Sequence, residues 1–348
     1  MRNILIVSLN YSPAFTSHML AYGECSKIIG CDPYYLVNNK YVDELKASVD
    51  REHIIDGVNK RKYFAAIICN VGLEHMVVAT LLKMKGVHVF YVFHEPDFSF
   101  HRIINESVIN GVKLVVASIC SAYISALSSN VLLPSRNAME MYRKKFSVFN
   151  SRYTIFPLLF SDEYSCSKEI KRDYFSYIGT ATESHNFEDY IKLIKYIANH
   201  EKSIKFCIGT KNDISDYIDD DMHDLMKIGR LIINSGRVLT NEEINSLTEQ
   251  SFCVWNAYKV STQSGVLVRS FMMGTPVLAT DVGSFKEYIK EGYNGVYIKK
   301  DQDSAGILKK IISIKNNIKK YNMNCRKSYD DMFSTRKNAY RFNQIINS

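Results

Sequence analysis

The first 160 residues alternate between short apolar runs and longer stretches in which apolar and polar positions mix with a helical period. The apolar runs predict strands over residues 3–9, 34–37, 65–70, 87–93, 114–118 and 130–133. The mixed stretches predict helices over 18–30, up to about residue 85, and from Pro134 onwards. Strands that alternate with helices in this way indicate a mostly parallel sheet with helices on both faces.

The same alternation begins again after a polar stretch, residues 161–169, which we interpret as a linker. Further strands are predicted over 174–179, 204–209, 236–239 and 253–256, and a last helix over about 338–347. A chain of 348 residues is long enough for two such cores. The pattern therefore predicts an α/β protein with two domains, 1–160 and 172–330, followed by a C-terminal segment, 331–348.

The most informative segment begins at Ser264 and has the sequence S-G-V-L-V-R-S-F-M-M-G-T-P-V-L-A-T-D-V-G-S-F-K-E, followed shortly by N-G-V-Y-I. It predicts a loop, a helix, a tight Gly-Thr-Pro turn, a short buried strand over 277–279, a second glycine turn and another helix. In a parallel α/β sheet this order brings two helix N-termini and two glycine loops to one edge. Free backbone N–H groups at such an edge can bind a diphosphate without a metal ion.

This segment resembles the donor-binding region of GT-B nucleotide-sugar glycosyltransferases of the family 4, or group 1, type. The residues that match the family pattern are Gly265, Gly274, Thr275, Pro276, Val277, Ala279, Thr280, Gly283, Glu287, Asn294 and Gly295. The resemblance implies the GT-B fold, in which two Rossmann-like domains face a cleft. It also implies an N-terminal acceptor domain, a C-terminal donor domain and a last helix that crosses back to the first domain. An ordinary Rossmann-like unit with glycines at its turns is the alternative.

Two features of that family are missing from the chain. The family's Glu-x7-Glu motif, whose second Glu binds the donor ribose, is replaced by Ser261 and Arg269. In the loop that begins at Gly179, Thr180 and His185 replace the Arg and Lys that hold the diphosphate. We interpret Arg269 as a source of part of the missing charge, because a guanidinium binds phosphate through two donors. The alternatives are an Arg on the helix surface and an exposed or N-capping histidine.

The resemblance thus implies a donor site with two parts. The first part is expected to hold the diphosphate and comprises Gly179, Thr180, His185, Ser264, Gly265, Val266 and Arg269. The second part, Arg237 and Val238, is expected to border the nucleobase. Thr240 and Glu243 follow directly and match a capping box, which would explain both of these side chains without a ligand.

Acceptor chemistry is expected in the first domain. His94 and Glu95 end an apolar strand, where side chains of this fold class meet ligands, and we take them as catalytic candidates. His94 is the candidate general base, because an ordinary imidazole pKa suits that role without tuning. A structural pair ahead of Pro96 is the alternative. The loop after the first strand lacks the family's double glycine but is the expected acceptor site, with Ser12, Thr16, Ser17 and His18.

Composition narrows the class of protein. A hydrophobic content of 46% and a charged content of 23% are typical of globular proteins. The eight cysteines are scattered singly, which predicts reduced, buried thiols of a cytoplasmic protein. The net charge of +8 lies largely in the last fifty residues. We interpret it as a solvated helix face, or as attraction to an anionic membrane surface. Nucleic acid is not expected as a partner, because no binding motif accompanies the charge.

The sequence therefore predicts a metal-independent glycosyltransferase, without a cofactor, that moves a sugar from a nucleoside-diphosphate sugar to a hydroxyl of a glycan. The run Asp219 to Asp221 predicts a turn or helix start, not a metal site. The resemblance implies a lipid-linked acceptor in the synthesis of a bacterial surface polysaccharide, such as lipopolysaccharide O-antigen, with peripheral contact at the inner face of the plasma membrane. The alternatives are a non-catalytic GT-B-like protein that binds a glycan or a partner, and a sugar-nucleotide epimerase.

Overall fold

The computed structural model describes residues 2–11, 15–94, 108–164, 170–261, 263–299 and 302–348. The chain divides into two compact units. Unit 1 comprises Met1–Ser161 and Met332–Ser348, and unit 2 comprises Asp162–Asp331. Each unit is an α/β structure with an all-parallel sheet, which confirms the predicted fold class.

Unit 1 contains a seven-stranded sheet in the order β3-β2-β1-β4-β5-β6-β7. Its strands are β1 Arg2–Ser8, β2 Cys31–Val37, β3 Ile54–Ile55, β4 Ala65–Ile68, β5 His88–Val92, β6 Asn130–Leu133 and β7 Tyr153–Ile155. The helices between them are α1 Thr16–Ile28, α2 Asn39–Leu45, α3 Leu73–Met84, α4 Val108–Leu127 and α5 Arg136–Lys145. A short 3-10 turn, Arg51–His53, precedes β3.

Alternating residues of β1 show how this sheet is buried on both faces. Ile4 and Ile6 belong to the core under α1, whereas Leu5 and Val7 belong to the core under α3, α4 and α5. All four side chains are fully buried. Strands of a parallel sheet need such continuous apolar runs, because helices cover both of their faces.

Unit 2 contains a six-stranded sheet in the order β10-β9-β8-β11-β12-β13. Its strands are β8 Tyr174–Ile178, β9 Lys205–Gly209, β10 Leu231–Asn234, β11 Ser251–Asn256, β12 Val277–Thr280 and β13 Gly295–Ile298. Its helices are α6 Phe187–His200, α7 Asp220–Lys227, α8 Asn241–Glu249, α9 Gly265–Met272, α10 Phe285–Tyr288, α11 Ser304–Asn316 and α12 Ile318–Met332. The last helix, α13 Thr335–Ile346, packs on α1 and belongs to unit 1.

Two strand predictions are wrong. Residues 114–118 lie inside α4, where the buried positions Cys120, Ser121, Ile124 and Ser125 recur at helical spacing. A short apolar run cannot by itself distinguish a strand from a buried helix. Residues 236–239 lie in a loop, because the strand ends at Asn234 and Gly236 has a φ of +77°. A positive φ interrupts the extended backbone that a strand requires.

Across the described ranges, every helix is too short or too polar to cross a membrane. The seven cysteines in the same ranges are buried and form no disulfide. Burial raises the pKa of several of these thiols, among them Cys25, Cys69 and Cys253. A raised pKa keeps a thiol protonated and unreactive at neutral pH, so these cysteines are core residues.

Candidate functional site

The start of α9 lies at the edge of the unit 2 sheet where the carboxyl ends of β8, β11 and β12 meet. Ser264 is the N-cap of α9, and its Oγ accepts a hydrogen bond from the Leu267 N–H at 3.3 Å. The Ser264 hydroxyl also lies 3.4 Å from Oδ1 of Asn256, the last residue of β11. The first N–H groups of a helix have no partner within the helix and favour an anion. The cap therefore directs Gly265 and Val266, the first two residues of α9, toward this edge.

Gly179, directly after β8, allows a close approach of the β8 loop to α9. Its φ of +131° is a conformation that residues with a side chain rarely adopt. A Cβ at this position would lie 3.4 Å from Cγ2 of Val266. The absence of a side chain at Gly179 therefore allows the β8 loop to contact the first turn of α9. The sequence predicts that these two segments belong to one site.

His185 and Tyr258 form a stacked aromatic pair beside these residues. Their ring centroids are 4.1 Å apart and the rings are 26° from parallel. Nδ1 of His185 lies 2.8 Å from the Thr180 carbonyl, which makes Nδ1 the protonated nitrogen. Burial raises the pKa of Tyr258, whose hydroxyl bonds to Ser264, so the phenol is neutral. Tyr258 was not predicted as a site residue, because one Tyr after an apolar strand carries no distinct signal.

Hydrogen bonds connect the loop 179–186 to the end of β11 and the residues that follow it. Nε1 of Trp255 donates to the His185 carbonyl at 3.2 Å, and the Lys259 N–H donates to the Ser184 carbonyl at 2.8 Å. Asn186 has a left-handed φ of +52° and donates to the Ala257 carbonyl at 2.6 Å. The two loops thus form one structural element at the sheet edge.

Arg269 lies in the interior of unit 2. Its side chain is 7% exposed, so the alternative of an Arg on the helix surface is wrong. Nη1 donates to Oδ1 of Asn245 at 2.6 Å, and Nη2 donates to Oδ1 of Asn241 at 2.9 Å. Burial lowers the pKa of Arg269, and the Glu163 carboxylate opposes this shift. These contacts join α9 to α8, and they occupy donors that the prediction assigned to a diphosphate.

Arg237 and Val238 lie in the loop before α8 and are exposed. Both terminal nitrogens of Arg237 bond to the Glu243 carboxylate. Glu243 also forms the capping box with Thr240 at the start of α8. The bonds from Arg237, followed by the Thr240 main chain, lower the pKa of Glu243 to about 2. The capping interpretation of Thr240 and Glu243 is confirmed, and the loop remains a candidate border for the base.

Ser261 occupies the position of the family's first motif Glu. It is 6% exposed, its Oγ lies 3.2 Å from Oγ of Ser284, and its carbonyl accepts from the Ser284 N–H at 3.0 Å. Ser284 in turn is the N-cap of α10. Ser261 therefore holds the loop before α9 against the loop after β12, which a carboxylate at this buried position could not do without a cationic partner.

In unit 1, His94 lies beside His18 at the carboxyl end of β5. Their ring centroids are 5.6 Å apart. Burial lowers the pKa of His94 well below its ordinary value, His18 lowers it further, and a hydrogen bond to the Cys69 main chain opposes the shift. The expectation of an untuned imidazole pKa is therefore wrong. Nε2 of His94 is buried without a hydrogen-bond partner among the described residues. Neutral His94 can accept a proton there, as a weaker base than a free imidazole.

The predicted acceptor residues of α1 are buried. Thr16 and Ser17 are 1% exposed and His18 is 4% exposed. Nδ1 of His18 lies 2.9 Å from the Leu159 carbonyl. Thr16 Oγ1 donates to Glu44, which also accepts from the Tyr11 hydroxyl. Glu44 was not predicted as a site residue, since a carboxylate in an amphipathic helix has no distinguishing pattern.

Two predicted site residues, Ser12 and Glu95, lie outside the described residues. The Asp219 to Asp221 run is described and forms the start of α7, where Asp219 accepts from the Met222 N–H at 3.2 Å and from Lys195. Among the described residues, no group of three or more His, Cys, Asp or Glu side chains could hold a metal ion. The acidic run is thus accounted for by helix capping.

Known structures share the fold of this chain. Alr3699/HepE of Anabaena, solved in complex with UDP and glucose, aligns over 100% of both chains with a TM-score of 0.69 and 13% identity. Sucrose-phosphate synthase of Thermosynechococcus elongatus aligns over 100% of this chain and 98% of its own, with a TM-score of 0.67 and 12% identity. A glycosyltransferase from Rickettsia africae aligns over 99% and 97%, with a TM-score of 0.66 and 11% identity. At these identities the likeness establishes the fold, and that fold is GT-B.

The second unit also matches a family of known proteins. The family model "Glycosyl transferases group 1" matches residues 172–317, which include the β8 loop and α9. This segment is thus similar to the group 1 glycosyltransferases, as the motif at Gly265 and Gly274 predicts. No curated protein sequence is similar enough to match the chain.

Proposed function

We propose that the protein transfers a sugar from a nucleoside-diphosphate sugar to a hydroxyl group of a glycan acceptor. The observation that carries the proposal is the edge formed by Gly179, Ser264 and Gly265, which lies inside the segment matched by the group 1 family model. The structure of HepE with UDP and glucose supports this choice of donor class.

The leaving diphosphate would be stabilised mainly by backbone N–H groups of the α9 start. Aligned N–H groups at a helix N-terminus favour the charge that develops on a leaving diphosphate. The loops that present them are fixed by hydrogen bonds before a donor arrives, so little reorganisation is required. Arg269 then acts as a positioning residue, because its guanidinium joins α9 to α8 through Asn241 and Asn245.

His94 is the proposed general base for the acceptor hydroxyl. Its Nε2 has no partner among the described residues, and its lowered pKa keeps it neutral at pH 7. A neutral imidazole can take the proton that the acceptor hydroxyl loses during transfer. Glu95 remains a predicted catalytic partner.

The resemblance further supports a lipid-linked saccharide as acceptor, in the synthesis of a bacterial surface polysaccharide at the inner face of the plasma membrane. The proposed enzyme needs no metal ion, since backbone N–H groups would neutralise the diphosphate. Both statements are proposals that follow from the family resemblance and from the α9 edge.

A non-catalytic GT-B-like protein is the second candidate function. The pairing of Arg237 with Glu243 and the enclosure of Arg269 favour it, because both cations of the predicted donor site already have protein partners. One assay distinguishes the two candidate functions. Incubation with labelled nucleotide sugars and a crude lipid-saccharide extract should release nucleoside diphosphate and label the extract. Nucleotide binding without release of diphosphate would favour the non-catalytic protein, whereas conversion of the donor without an acceptor would favour an epimerase.

A further inference from the structure

Helix α3 exposes a stripe of large apolar side chains in unit 1. Leu73, Val77, Leu81 and Met84 are 66%, 60%, 39% and 80% exposed. They follow one another at intervals of four, four and three residues, which places them on one face of the helix. The opposite face of α3, with Ala79 and Leu82, is buried in the core, so the exposed stripe is not needed for the packing of unit 1.

Helix α4 carries a second exposed apolar stripe beside the first. Val112, Val115, Val116, Ile119 and Tyr123 are 58%, 42%, 40%, 60% and 39% exposed. The two stripes are neighbours, because the Tyr123 hydroxyl lies 2.8 Å from Oγ1 of Thr80 on α3 and the two helices pack together. Contiguous exposed apolar surface is a mark of protein or membrane interaction sites.

The exposed charges of α3, α4 and α5 are predominantly positive. Helices α3 to α5 and the residue after α3 expose seven cations, which are Lys83, Lys85, Lys113, Arg136, Arg143, Lys144 and Lys145. Among the described side chains of the same three helices, which exclude residues 108–110, the exposed anions are Glu74 and Glu140. Seven positive charges against two negative ones give this layer a net charge of +5. The turn after α5 adds exposed Val148 and Phe149.

We propose that the outer surface of α3, α4 and α5, hereafter the α3–α5 surface, docks on the surface of a bilayer that contains anionic lipids. Apolar side chains enter the interface between headgroups and acyl chains, while surrounding Lys and Arg side chains pair with lipid phosphates. A second copy of the chain fits this surface less well, because a symmetric contact would bring two layers of charge +5 together.

The late basic segment provides a contrast within the same protein. Helices α11 and α12 expose Lys309, Lys319, Lys320 and Lys327, but Met323 is their single exposed large apolar residue among the described ones. Charge without apolar surface is typical of a solvated helix face. The membrane contact suggested by the sequence is therefore assigned to the α3–α5 surface, and not to the late segment.

The inference rests on the proposed function in one respect: membrane docking would give the enzyme access to a membrane-borne acceptor. The experiment measures binding without sugar transfer. The full-length protein is sedimented with vesicles of phosphatidylcholine alone and with about 30% phosphatidylglycerol, at about 0.05 M and about 0.5 M NaCl. We expect at least about tenfold stronger binding to the anionic vesicles at low salt, with a large loss at high salt.

Matched variants locate the binding surface. The double substitution Val77→Asp with Ile119→Asp should reduce binding to anionic vesicles at least about tenfold. The control, Ile228→Asp with Met323→Asp, adds the same charge at positions that are 66% and 71% exposed in unit 2 and should bind like the wild type. All four positions are exposed, so both proteins should fold, which circular dichroism and thermal unfolding would verify.

Three outcomes would overturn the proposal. Absence of vesicle binding by the wild type would contradict it directly. Equal losses in the two double variants would show an effect of charge alone. A wild-type dimer in light scattering that the Val77 and Ile119 substitutions dissociate, without vesicle binding, would identify a second copy of the chain as the occupant. None of these outcomes bears on whether unit 2 binds a nucleotide, so the failure of this proposal and that of the proposed function are distinguishable.

Discussion

Gly265 is the first residue of α9, and a ligand phosphate would approach its backbone closely if the α9 edge binds the donor. Replacement by Val adds a branched side chain where the phosphate should lie, while a β-branched residue remains compatible with the helix backbone. We expect Gly265→Val to weaken nucleoside-diphosphate binding at least about tenfold, or about 1.4 kcal/mol. The measurement is isothermal titration calorimetry.

The matched control for this substitution is Gly57→Val. A Cβ at Gly57 would meet nothing within 4 Å, and Gly57 belongs to unit 1. Its nucleotide affinity should equal that of the wild type. An unchanged affinity in folded Gly265→Val would show that the diphosphate binds elsewhere.

His75 makes the stability of unit 1 dependent on pH. Its Nε2 accepts a hydrogen bond from the Leu9 N–H at 2.9 Å, and burial lowers its pKa to about 4. The unfolded state binds more protons below its own pKa of about 6.5, so this contribution to stability is complete above that pH. It should be lost as the pH falls from about 6.5 to about 4, by roughly 3 kcal/mol.

The test of this prediction is amide hydrogen exchange in β1 and β4 as a function of pH. His75→Gln keeps an acceptor for the Leu9 N–H but cannot titrate, so its stability should vary less over this range. The control is His88→Gln, since His88 is exposed on the same sheet. Equal pH profiles for wild type and His75→Gln would contradict the assignment to His75.

Single residues differ in how much the sequence reveals of their role. Gly179 and Gly265 were predicted because glycine at the end of a strand or at the start of a helix indicates a close backbone approach. Tyr258 and Glu44 were missed, because their roles depend on contacts with His185 and Thr16, which lie far away in the sequence. The shift of the His94 pKa was missed for the same reason, since burial is a property of the folded chain.

Arg269 determines how helices α8 and α9 pack together. Arg269→Glu would place a carboxylate against the amide oxygens of Asn241 and Asn245, near Glu163. We expect a loss of unfolding free energy on the order of 2–4 kcal/mol, and a smaller loss for Arg269→Lys, which keeps the charge without the planar fork. Donor affinity should fall in the same order.

Fluorescence of Trp255 measures this effect specifically, because the single tryptophan lies in β11 of unit 2. Urea unfolding followed at this residue should show midpoints in the order wild type, Arg269→Lys, Arg269→Glu. A full-strength donor affinity in a destabilised Arg269→Glu protein would separate the packing of α9 from donor binding and remove the positioning role.

Helices and strands could be predicted where the spacing of apolar residues along the sequence was unambiguous. Strand β1 and the strand after Pro276 were predicted correctly, because uninterrupted apolar runs next to glycine turns fit strands buried on both faces. Helix α4 was not recognised, since its Val and Ile residues favour strands by composition. Its buried stripe, which includes Ser121 and Ser125, is polar in part and so escapes a search for apolar periodicity.

Both units have the fold that the sequence predicts, and the proposal assigns stabilisation of the leaving diphosphate to backbone N–H groups of unit 2, without a metal ion. Transfer activity should therefore survive an excess of EDTA, because backbone N–H groups neutralise the leaving diphosphate. The control is a metal-dependent glycosyltransferase treated in the same way. Loss of activity that Mg²⁺ or Mn²⁺ restores would contradict this mechanism.

A crystal structure of the protein soaked with nucleoside diphosphates that differ in base tests the central claim most directly. We expect a diphosphate within hydrogen-bond distance of the Gly265 and Val266 N–H groups, with Gly179 and the stacked His185 and Tyr258 beside it. A diphosphate bound elsewhere in the molecule, or an empty α9 edge with every nucleotide at saturating concentration, would contradict the account.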